Sequence, residues 1–462
     1  MKPHLHFMGI GGVGMSGLAR HYHTEGYLVS GCDIVDSSEV RALRELGIQV
    51  ALGHSPEHLT GVQRLISSMA VADDNPEIAA AKACGLDIIK RIELLAELVA
   101  SRLSIGVTGT HGKSTTTGMI ASLLIAAGED PSVLLGAHLK ALASSGGNVR
   151  HGRGPRLICE VDESDPGFAQ LRCDLAVITS LEDDHIAGGY QERRNYHASL
   201  AELEAATQRF AEQAATVLIS ADWPTLTPLL AGHQQAFSYG LTAGADYRAT
   251  DLVLTPNGSS FTLITPNRHS LTVQLSVPGR HNVQNATAAL AVTDLVGLDP
   301  TPLLGSLRGF TGVGRRWQRH GSVRQALIID DYAHHPTEVG VALEAARHTG
   351  RRVRAVLQPH RWVRTALHWS ALADAVSLAD EIIVLDIYGA GEVAIPGISS
   401  ELIVKRLQAA GKAAAYLDLV GAQRYLSESL QAGDLVITLG AGDVWKVAAG
   451  IVAQAGGDDG SA

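Results

Sequence analysis

The chain has little of several features that mark special classes of protein. Only four cysteines occur in 462 residues (Cys32, Cys84, Cys159 and Cys173), with no C-x-x-C spacing, which predicts reduced, mostly buried thiols in a cytoplasmic protein. Lys and Arg number 37 against 47 Asp and Glu, a net charge of −10, so no global basic field attracts nucleic acid. No apolar run is long enough to span a bilayer, and residues 1–17 are glycine-rich instead of continuously apolar like a signal peptide. We therefore expect neither a nucleic-acid partner nor membrane insertion.

What is present is the composition of a folded protein with several domains. Hydrophobic residues make up 46% of the chain and charged residues 18%, as in ordinary globular proteins. A length of 462 residues suggests about three domains. No segment repeats at the period of a solenoid. Any anionic ligand must then be held by local glycine turns, helix ends and a few basic side chains.

The most informative stretch is GVTGTHGKSTT, residues 106–116. It lies between a short apolar strand and an apolar stretch with helical spacing, so it forms a strand-to-helix turn whose backbone N–H groups can surround a phosphate. Lys113 supplies a charge for the β- and γ-phosphates, and Ser114 supplies a hydroxyl for Mg²⁺. Val107 occupies the position of the usual first glycine, so this is a shortened P-loop. We interpret it as a nucleoside triphosphate site; the simpler alternative is a glycine turn without a ligand.

A second glycine loop lies near the N-terminus. A strand at residues 4–8 is followed by Gly9-Ile10-Gly11-Gly12-Val13-Gly14 and then by a helix from Met15, the G-x-G-x-x-G pattern in its strand-to-helix context. Asp33 follows the next strand, where an acidic ribose ligand would stand. Taken alone, this half predicts a dinucleotide-dependent dehydrogenase. The pattern alone does not require a dinucleotide, because a tight turn or any pyrophosphate on a helix N-terminus would satisfy it.

Acidic residues follow a strand of the middle region. Residues 157–161 form an apolar strand that runs into Asp162-Glu163-Ser164-Asp165, and the strand at residues 175–179 ends in Leu181-Glu182-Asp183-Asp184-His185. Acids this close repel one another unless a cation lies nearby. Beside a P-loop, this is where an Mg²⁺-binding carboxylate belongs. Farther on, one asparagine of residues 278–285 is expected to cap the following helix.

The last part of the chain has its own strand–helix alternation, with strands near residues 326–329, 353–357, 382–385 and 434–439. Polar or glycine-rich residues follow each strand, as they do where strand ends face a ligand. Arg361 and Arg364 follow the second strand and would clamp a carboxylate or phosphate from neighbouring faces of a helical turn. The alternative is a solvated helix start.

These motifs together resemble the Mur ligases of bacterial peptidoglycan synthesis. The resemblance covers nearly the whole chain and rests, in order, on MGIGGVGMSGLA, GTHGKSTTT, EVDESD, EDDH, GRHNVQNA, GVGRRW, DDYAHHPTEV, QPHRWVRT, GAGEVAIPG and GAGDVWK. The first motif and the DDYAHHPTEV–QPHR pair are similar to those of the alanine-adding member. The chain departs from the family pattern at two places. Ser114 replaces a commoner threonine, and Ile186-Ala187-Gly188-Gly189 replaces the usual Asp and Tyr after His185.

The resemblance implies three α/β domains and one reaction. A Rossmann-like domain at residues 1–100 would bind the UDP-sugar, a P-loop domain at 101–311 would bind ATP, and a Rossmann-like domain at 312–462 would deliver the amino acid. The implied activity is ATP-dependent joining of L-alanine to the carboxylate of UDP-N-acetylmuramate through an acyl phosphate. Mg²⁺ would be the cofactor, with Mn²⁺ able to substitute, and a homodimer is left open.

The resemblance also implies roles for individual residues. The ATP-binding set is Gly109, Thr110, His111, Gly112, Lys113, Ser114, Thr115, Asn282, Asn285, Arg316 and Asp331. The UDP-sugar set is Gly9, Gly11, Gly12, Gly14, Met15, Ser16, Asp33 and Ser68. Catalysis is assigned to Lys113, Glu160, His185, His334, Arg361 and Arg364; metal binding to Ser114, Glu160 and His185; and carboxylate binding to His360, Arg361 and Arg364. His334 and His335 are candidates for the base that deprotonates the incoming amine.

Three alternatives stay open from the sequence. A dehydrogenase would bind NAD and need no ATP. A regulatory ATPase would hydrolyse ATP without an amino-acid acceptor. A sister ligase would attach a recycled murein tripeptide to UDP-N-acetylmuramate.

Overall fold

The computed structural model describes residues 2–68, 71–72, 74–145, 147–190 and 196–458. These residues form three sheets in succession along the chain, each covered by helices. The alternation of strands and helices is that of α/β proteins, which confirms the predicted fold class. Within the described ranges, no helix is both long and apolar enough to cross a bilayer.

The N-terminal sheet has five parallel strands in the order β3-β2-β1-β4-β5. Its elements are β1 (His4–Met8), α1 (Val13–Thr24), β2 (Leu28–Asp33), α2 (Ser38–Glu45), β3 (Gln49–Leu52), β4 (Arg64–Ser67), α3 (Pro76–Ala83), β5 (Asp87–Lys90) and α4 (Arg91–Ala100). The predicted strand at residues 4–8 is confirmed, and α1 begins two residues before the predicted Met15. The glycine loop lies at the carboxyl end of β1, the central strand, where ligands bind in doubly wound sheets.

The central sheet has ten strands in the order β15-β14-β13-β12-β11-β10-β6-β9-β7-β8. Its elements are β6 (Leu103–Thr108), α5 (Lys113–Ala126), β7 (Ser132–Leu134), β8 (Val149–Arg150), β9 (Arg156–Glu160), β10 (Leu175–Ile178), α6 (Leu200–Glu212), β11 (Thr216–Ser220), β12 (Ala236–Gly240), β13 (Tyr247–Thr255), β14 (Gly258–Ile264), β15 (Ser270–Leu275), α7 (Arg280–Leu295) and α8 (Leu304–Arg308). Strand β6, which leads into the P-loop, lies between β9 and β10. The two acidic strand ends therefore flank the P-loop, as the sequence predicts.

The asparagine prediction for α7 was wrong. The helix begins at Arg280 with Gly279 at its cap, so Asn282 and Asn285 lie inside the helix. The Asn282 side-chain amide instead donates to the Pro278 carbonyl at 2.7 Å. Both side chains are buried and line one pocket with residues of the P-loop, and Asn285 Oδ1 accepts from the Thr116 hydroxyl of α5 at 3.2 Å.

The C-terminal sheet has six strands in the order β16-β17-β21-β18-β19-β20. Its elements are β16 (Gln318–Val323), β17 (Ala326–Asp331), α9 (Pro336–Arg347), β18 (Arg352–Leu357), α10 (Trp362–Val376), β19 (Glu381–Val384), α11 (Ser400–Ala409), β20 (Ala413–Tyr416), α12 (Leu419–Ser429), β21 (Asp434–Leu439) and α13 (Trp445–Asp458). The four strands expected here are present. Antiparallel β16 and the edge strand β20 add to them.

Packing between the three units positions the site. One buried cluster contains Leu18 of α1, Ile92 of α4 and Phe168 of the central unit, so the first two units share a core. A smaller cluster joins Ala187 and Tyr196 of the central unit to Val363 of α10. The predicted domain limits at residues 100 and 311 stay a prediction.

Candidate active site

The P-loop connects β6 to α5 and depends on glycine at two places. Gly109 has φ +125° and Gly112 has φ +82°, a backbone region that other residues rarely adopt. A Cβ on Gly112 would lie 2.8 Å from Asn285 Oδ1. The loop therefore packs directly on α7, and its amides and the N-terminus of α5 are available for phosphate.

Lys113 is the first residue of α5, and its ammonium folds back over the loop. Nζ donates to the Gly109 carbonyl at 2.7 Å and lies 2.7 Å from Glu163 Oε2. Burial lowers the pKa of Lys113, but Glu163, Asp162 and Glu160 outweigh burial and raise it, so the side chain is charged. Burial raises the pKa of Glu163 to about 7 against the pull of Lys113. Lys113 is thus held beside the phosphate loop by a carboxylate that is itself easily protonated.

The predicted metal ligands Ser114, Glu160 and His185 line one cleft. Ser114 Oγ donates to Glu160 Oε1 at 2.9 Å, and Glu160 Oε2 accepts from the Gly136 amide at 2.8 Å. His185 lies in the segment that follows β10, with φ +57°. Its Nε2 is 4.0 Å from Glu163 Oε1, and among the described residues no Glu160 oxygen comes within that distance. The structure thus adds Glu163 to the candidate ligands.

The donor set fits a divalent cation. Burial lowers the pKa of His185 to about 4, so the imidazole is neutral and able to coordinate. His185 Nδ1 and Glu163 Oε1 are buried without a hydrogen-bond partner, whereas Glu163 Oε2 faces the Lys113 ammonium. Such orphaned polar atoms call for an ion or water.

A separate pocket beside the P-loop gathers the predicted nucleotide contacts. Asn282, Asn285, Arg316 and Asp331 line it together with His111, Gly112, Ser114 and Thr115 of the P-loop. Asp331 accepts from the Trp317 amide at 2.8 Å and from the Ala333 amide at 2.9 Å, and burial raises its pKa to about 6. The pocket lies between the central and C-terminal units, so the nucleotide would contact both.

His111 of the P-loop joins the central and C-terminal units. Its Nε2 contacts Glu182, its Nδ1 lies 3.2 Å from Glu338 Oε1 of α9, and Glu182 also accepts from the Thr337 hydroxyl at 3.1 Å. Burial lowers the pKa of His111, but the two carboxylates outweigh burial and raise it to about 9. The imidazolium therefore bridges two units at neutral pH.

Arg364 of α10 and His360 before it reach the segment that follows β10. Arg364 Nε donates to Asp184 Oδ1 at 2.7 Å, and its other nitrogens lie 3.1 Å from His360 Nδ1 and 3.3 Å from His185 Nε2. Arg364 is buried, and His360 and Arg364 line the cleft with His185. A cationic guanidinium beside the metal ligands is placed to hold a carboxylate.

The prediction that Arg361 and Arg364 lie on neighbouring faces of one helical turn was wrong. Arg361 precedes α10 and caps it with φ +67°. Its guanidinium lies 3.1 Å from Glu392 Oε1 and over the Tyr196 ring. Each arginine therefore has its own carboxylate, and they form no clamp in this structure, although both line the cleft.

The two candidate bases differ in position. His334 lines the cleft, and its Nδ1 lies 2.9 Å from the Tyr332 carbonyl. Burial, aided by Arg364, lowers the pKa of His334 to about 3, which makes it a weak base at neutral pH. His335 instead lies 3.1 Å from Glu182 Oε1, outside the residues that line the cleft. Neither histidine is therefore favoured as the base that deprotonates the amine. His334, which lines the cleft, is better placed to orient a ligand.

The N-terminal glycine loop opens into the same cleft. Gly9, Gly12, Gly14, Met15 and Ser68 line it. Asp33 and Ser16 do not: Asp33 Oδ2 accepts from the Gly11 amide at 2.8 Å, and Ser16 is buried and donates to the Val13 carbonyl. Asp33, the last residue of β2, therefore holds the glycine loop itself.

Comparison with known proteins agrees with this geometry. Three family models match in order: "Mur ligase family, catalytic domain" at residues 4–102, "Mur ligase middle domain" at 107–293, and "Mur ligase, glutamate ligase domain" at 315–442. The chain belongs to the Mur ligase family. It is therefore an ATP-dependent ligase, and the dehydrogenase alternative is removed.

Individual relatives resemble this Mur ligase over almost its whole length. The UDP-N-acetylmuramate–L-alanine ligase of Deinococcus radiodurans is 44% identical, covering 97% of this chain and 93% of its own. That of Cutibacterium acnes is 40% identical, covering 96% and 94%. The crystal structure of the UDP-N-acetylmuramate–alanine ligase of Thermotoga maritima superposes with a TM-score of 0.84 at 28% identity, covering 99% and 100%.

The residues that replace the usual Asp and Tyr after His185 have a structural explanation in this Mur ligase. The Ala187 amide donates to the His197 carbonyl, and the His197 amide donates to the His185 carbonyl, both at 2.8 Å. A Cβ on Gly188 would lie 2.7 Å from Leu367 Cδ2 of α10. The glycine therefore lets the loop that carries His185 approach α10 closely.

Sequence reasoning missed several residues of the site. Glu163 and Asp184 lay inside quoted motifs without a role, and so did His281, Trp317 and Glu338. Trp223 and Tyr239, which also line the nucleotide pocket, lie outside every motif. No sequence motif marks these two residues, because they reach the pocket from separate elements of the central unit.

Proposed function

We propose that this chain joins L-alanine to the carboxylate of UDP-N-acetylmuramate at the expense of ATP. The observation that carries the proposal is one continuous cleft, about 990 Å³ in volume, that runs from the glycine loop after β1 past the P-loop to His360 and Arg364. A UDP-sugar on the first loop would extend its sugar carboxylate toward Lys113. The similarity to ligases named for this reaction supports the choice of substrates.

The residues of the cleft account for the chemistry. A carboxylate is a poor acyl donor until one oxygen becomes a leaving group, which phosphorylation by ATP provides. Lys113 and the P-loop amides would stabilise the transferring phosphoryl group, and positioning is the enzyme's main contribution. Arg364 and His360 would orient the carboxylate groups of the acceptor and of alanine. The amine of alanine would then attack the acyl phosphate and release phosphate.

Ser114, Glu160 and His185, with Glu163 beside them, would hold Mg²⁺. When bound, the metal cancels charge on the phosphates and the acceptor carboxylate. An imidazole ligand is unusual for Mg²⁺, and we expect Mn²⁺ to substitute well. Because the reaction consumes ATP, we expect it in the cytoplasm. A homodimer stays a prediction that light scattering would test.

Phosphate release tests the reaction. The protein is supplied with ATP, UDP-N-acetylmuramate and one amino acid at a time, and L-alanine should give the fastest release. A small pocket separates alanine from glycine or serine by only about 1–3 kcal/mol, so weak activity with those is expected. Release without any amino acid would identify a regulatory ATPase. Release with an alanine-first tripeptide but not with free alanine would identify the sister ligase.

Ligand protection tests the N-terminal site separately. A ligand raises the unfolding temperature only if it binds the folded state, so UDP-N-acetylmuramate should protect the protein and NAD should not. Protection by NADH alone would contradict the proposal.

A further inference from the structure

Five side chains with metal-binding chemistry meet in the N-terminal unit and have no role in the proposed reaction. His6 lies on β1, Cys32 on β2 and Glu77 on α3. His54 precedes the turn Pro56–Leu59 that follows β3, and His58 lies within that turn. None of the five lines the cleft. They occupy the face of the sheet that α3 covers, next to a small apolar cluster that includes Met8 and Leu65.

Glu77 is at the centre of this group. Its side chain is 0% exposed, and Oε1 lies 2.9 Å from His6 Nε2 and 3.4 Å from His58 Nδ1. Its Oε2 lies 3.3 Å from both Cys32 Sγ and His54 Nδ1. One donor atom from each of His6, Cys32, His58 and Glu77 lies within 4.8 Å of all the others. These spacings allow all four atoms to reach one ion.

Hydrogen bonds within the group account for only part of the arrangement. His6 Nε2 and His58 Nδ1 are both buried and both face Glu77 Oε1, at 2.9 Å and 3.4 Å. Outside this group, neither nitrogen has a hydrogen-bond partner among the described residues. The other nitrogen of His6, Nδ1, lies 2.8 Å from Ser30 Oγ. This is the arrangement of a metal-binding histidine, in which a partner fixes the ring and leaves the second nitrogen for the ion.

We propose that His6, Cys32, His58 and Glu77 bind one zinc-class divalent cation. Two imidazoles, a thiolate and a carboxylate are the mixed nitrogen, sulfur and oxygen ligands of tetrahedral zinc, and Mg²⁺ would not select them. The thiol loses its proton to solvent as the sulfur–metal bond forms. Thiolate and carboxylate then cancel the two positive charges of the ion, so the buried site becomes neutral. His54 remains outside the four and hydrogen-bonds to two of the ligands.

Such an ion would support the glycine loop from behind. The Cys32 carbonyl accepts from the Gly9 amide at 2.8 Å and from the Ile10 amide at 3.1 Å. The residue that supplies the sulfur ligand therefore also fixes the start of the loop. The ion would join β1, β2, α3 and the Pro56–Leu59 turn.

Cobalt substitution tests the site directly, without reference to activity. Protein free of a histidine tag is stripped with a chelator, dialysed and titrated with Co²⁺ in excess Mg²⁺, which occupies oxygen-rich sites. We expect a thiolate-to-cobalt charge-transfer absorption that saturates at about one equivalent and is bleached by Zn²⁺. Zn²⁺ alone should raise the unfolding temperature of the stripped protein.

Variants decide which sulfur is bound. Cys32→Ser should abolish the charge-transfer absorption, and His58→Ala, at the outer side of the group, should weaken Co²⁺ binding at least tenfold while the circular dichroism stays unchanged. Cys84→Ser is the matched control, because Cys84 is an exposed free thiol, and it should retain the absorption. No absorption in the parent protein, or an equal absorption in Cys32→Ser, would overturn the proposal.

Discussion

At the scale of the residue, the deciding position is His185. Burial keeps its imidazole neutral, and its contacts with Glu163 and Arg364 place it where the phosphoryl group would be transferred. The alternative, a histidine in a solvated loop, does not describe a ring that is only 18% exposed and has a buried nitrogen without a partner.

His185→Ala should therefore keep ATP binding and lose most turnover. Loss of a metal ligand should exceed the roughly 10–100-fold effect of losing an outer-shell partner, and the Mg²⁺ requirement should rise. Glu160→Ala should abolish phosphoryl transfer. Phosphate release across a Mg²⁺ series measures both, with the exposed His269→Ala as control. Full activity of His185→Ala at ordinary Mg²⁺ would return this histidine to a structural role.

At the scale of the element, the start of α5 depends on a glycine for two different reasons. Gly112 needs φ +82°, and its missing Cβ leaves room for Asn285. Gly128, just past the end of the same helix, has φ +81° but no atom within 4 Å of the position of a Cβ. Substitutions at the two positions therefore distinguish the effect of backbone strain, which both share, from the effect of a steric clash, which only Gly112 would have.

Gly112→Ala and Gly128→Ala should both lower the free energy of unfolding, by about 1–2 kcal/mol for the left-handed conformation. Only Gly112→Ala should also lose ATP binding, because the new methyl group pushes the loop away from α7. Denaturant unfolding and titration with a fluorescent ATP analogue measure the two effects. Equal ATP affinity in the two variants would show that the contact with Asn285 does not shape the phosphate loop.

At the scale of the whole molecule, the His111 imidazolium holds the central and C-terminal units together. Its folded pKa of about 9 is raised above the unfolded value of about 6.5. A raised pKa contributes stability that is fully present below the unfolded value and is lost as pH rises through the folded value. The contribution of His111 therefore disappears between about pH 6.5 and pH 9.

His111→Gln should remove this pH dependence. The parent protein should be more stable than the variant by up to about 3 kcal/mol near pH 6, and the difference should shrink toward zero near pH 10. Denaturant unfolding of both proteins across this pH range measures the difference in unfolding free energy. The contributions of other titrating groups cancel in that difference. His269→Gln, an exposed histidine, should show no such trend. A constant difference at every pH would mean that His111 acts without its charge.

The sequence by itself determined the three α/β units, the P-loop and both acidic strand ends. These were predictable because strand-to-helix turns are local, and parallel strands bring their carboxyl ends to one edge. The family resemblance added Asn282, Asn285, Arg316 and Asp331 as expected nucleotide contacts, and the structure brings these four residues together in one pocket. Only the tertiary structure decided which partner each side chain takes: Asp33 turns to Gly11, Arg361 to Glu392, and His185 to Glu163 and Arg364. It also brought together His6, Cys32, His58 and Glu77, which no spacing along the chain predicts. Such contacts depend on how separate elements pack, and packing distances are not written in local sequence.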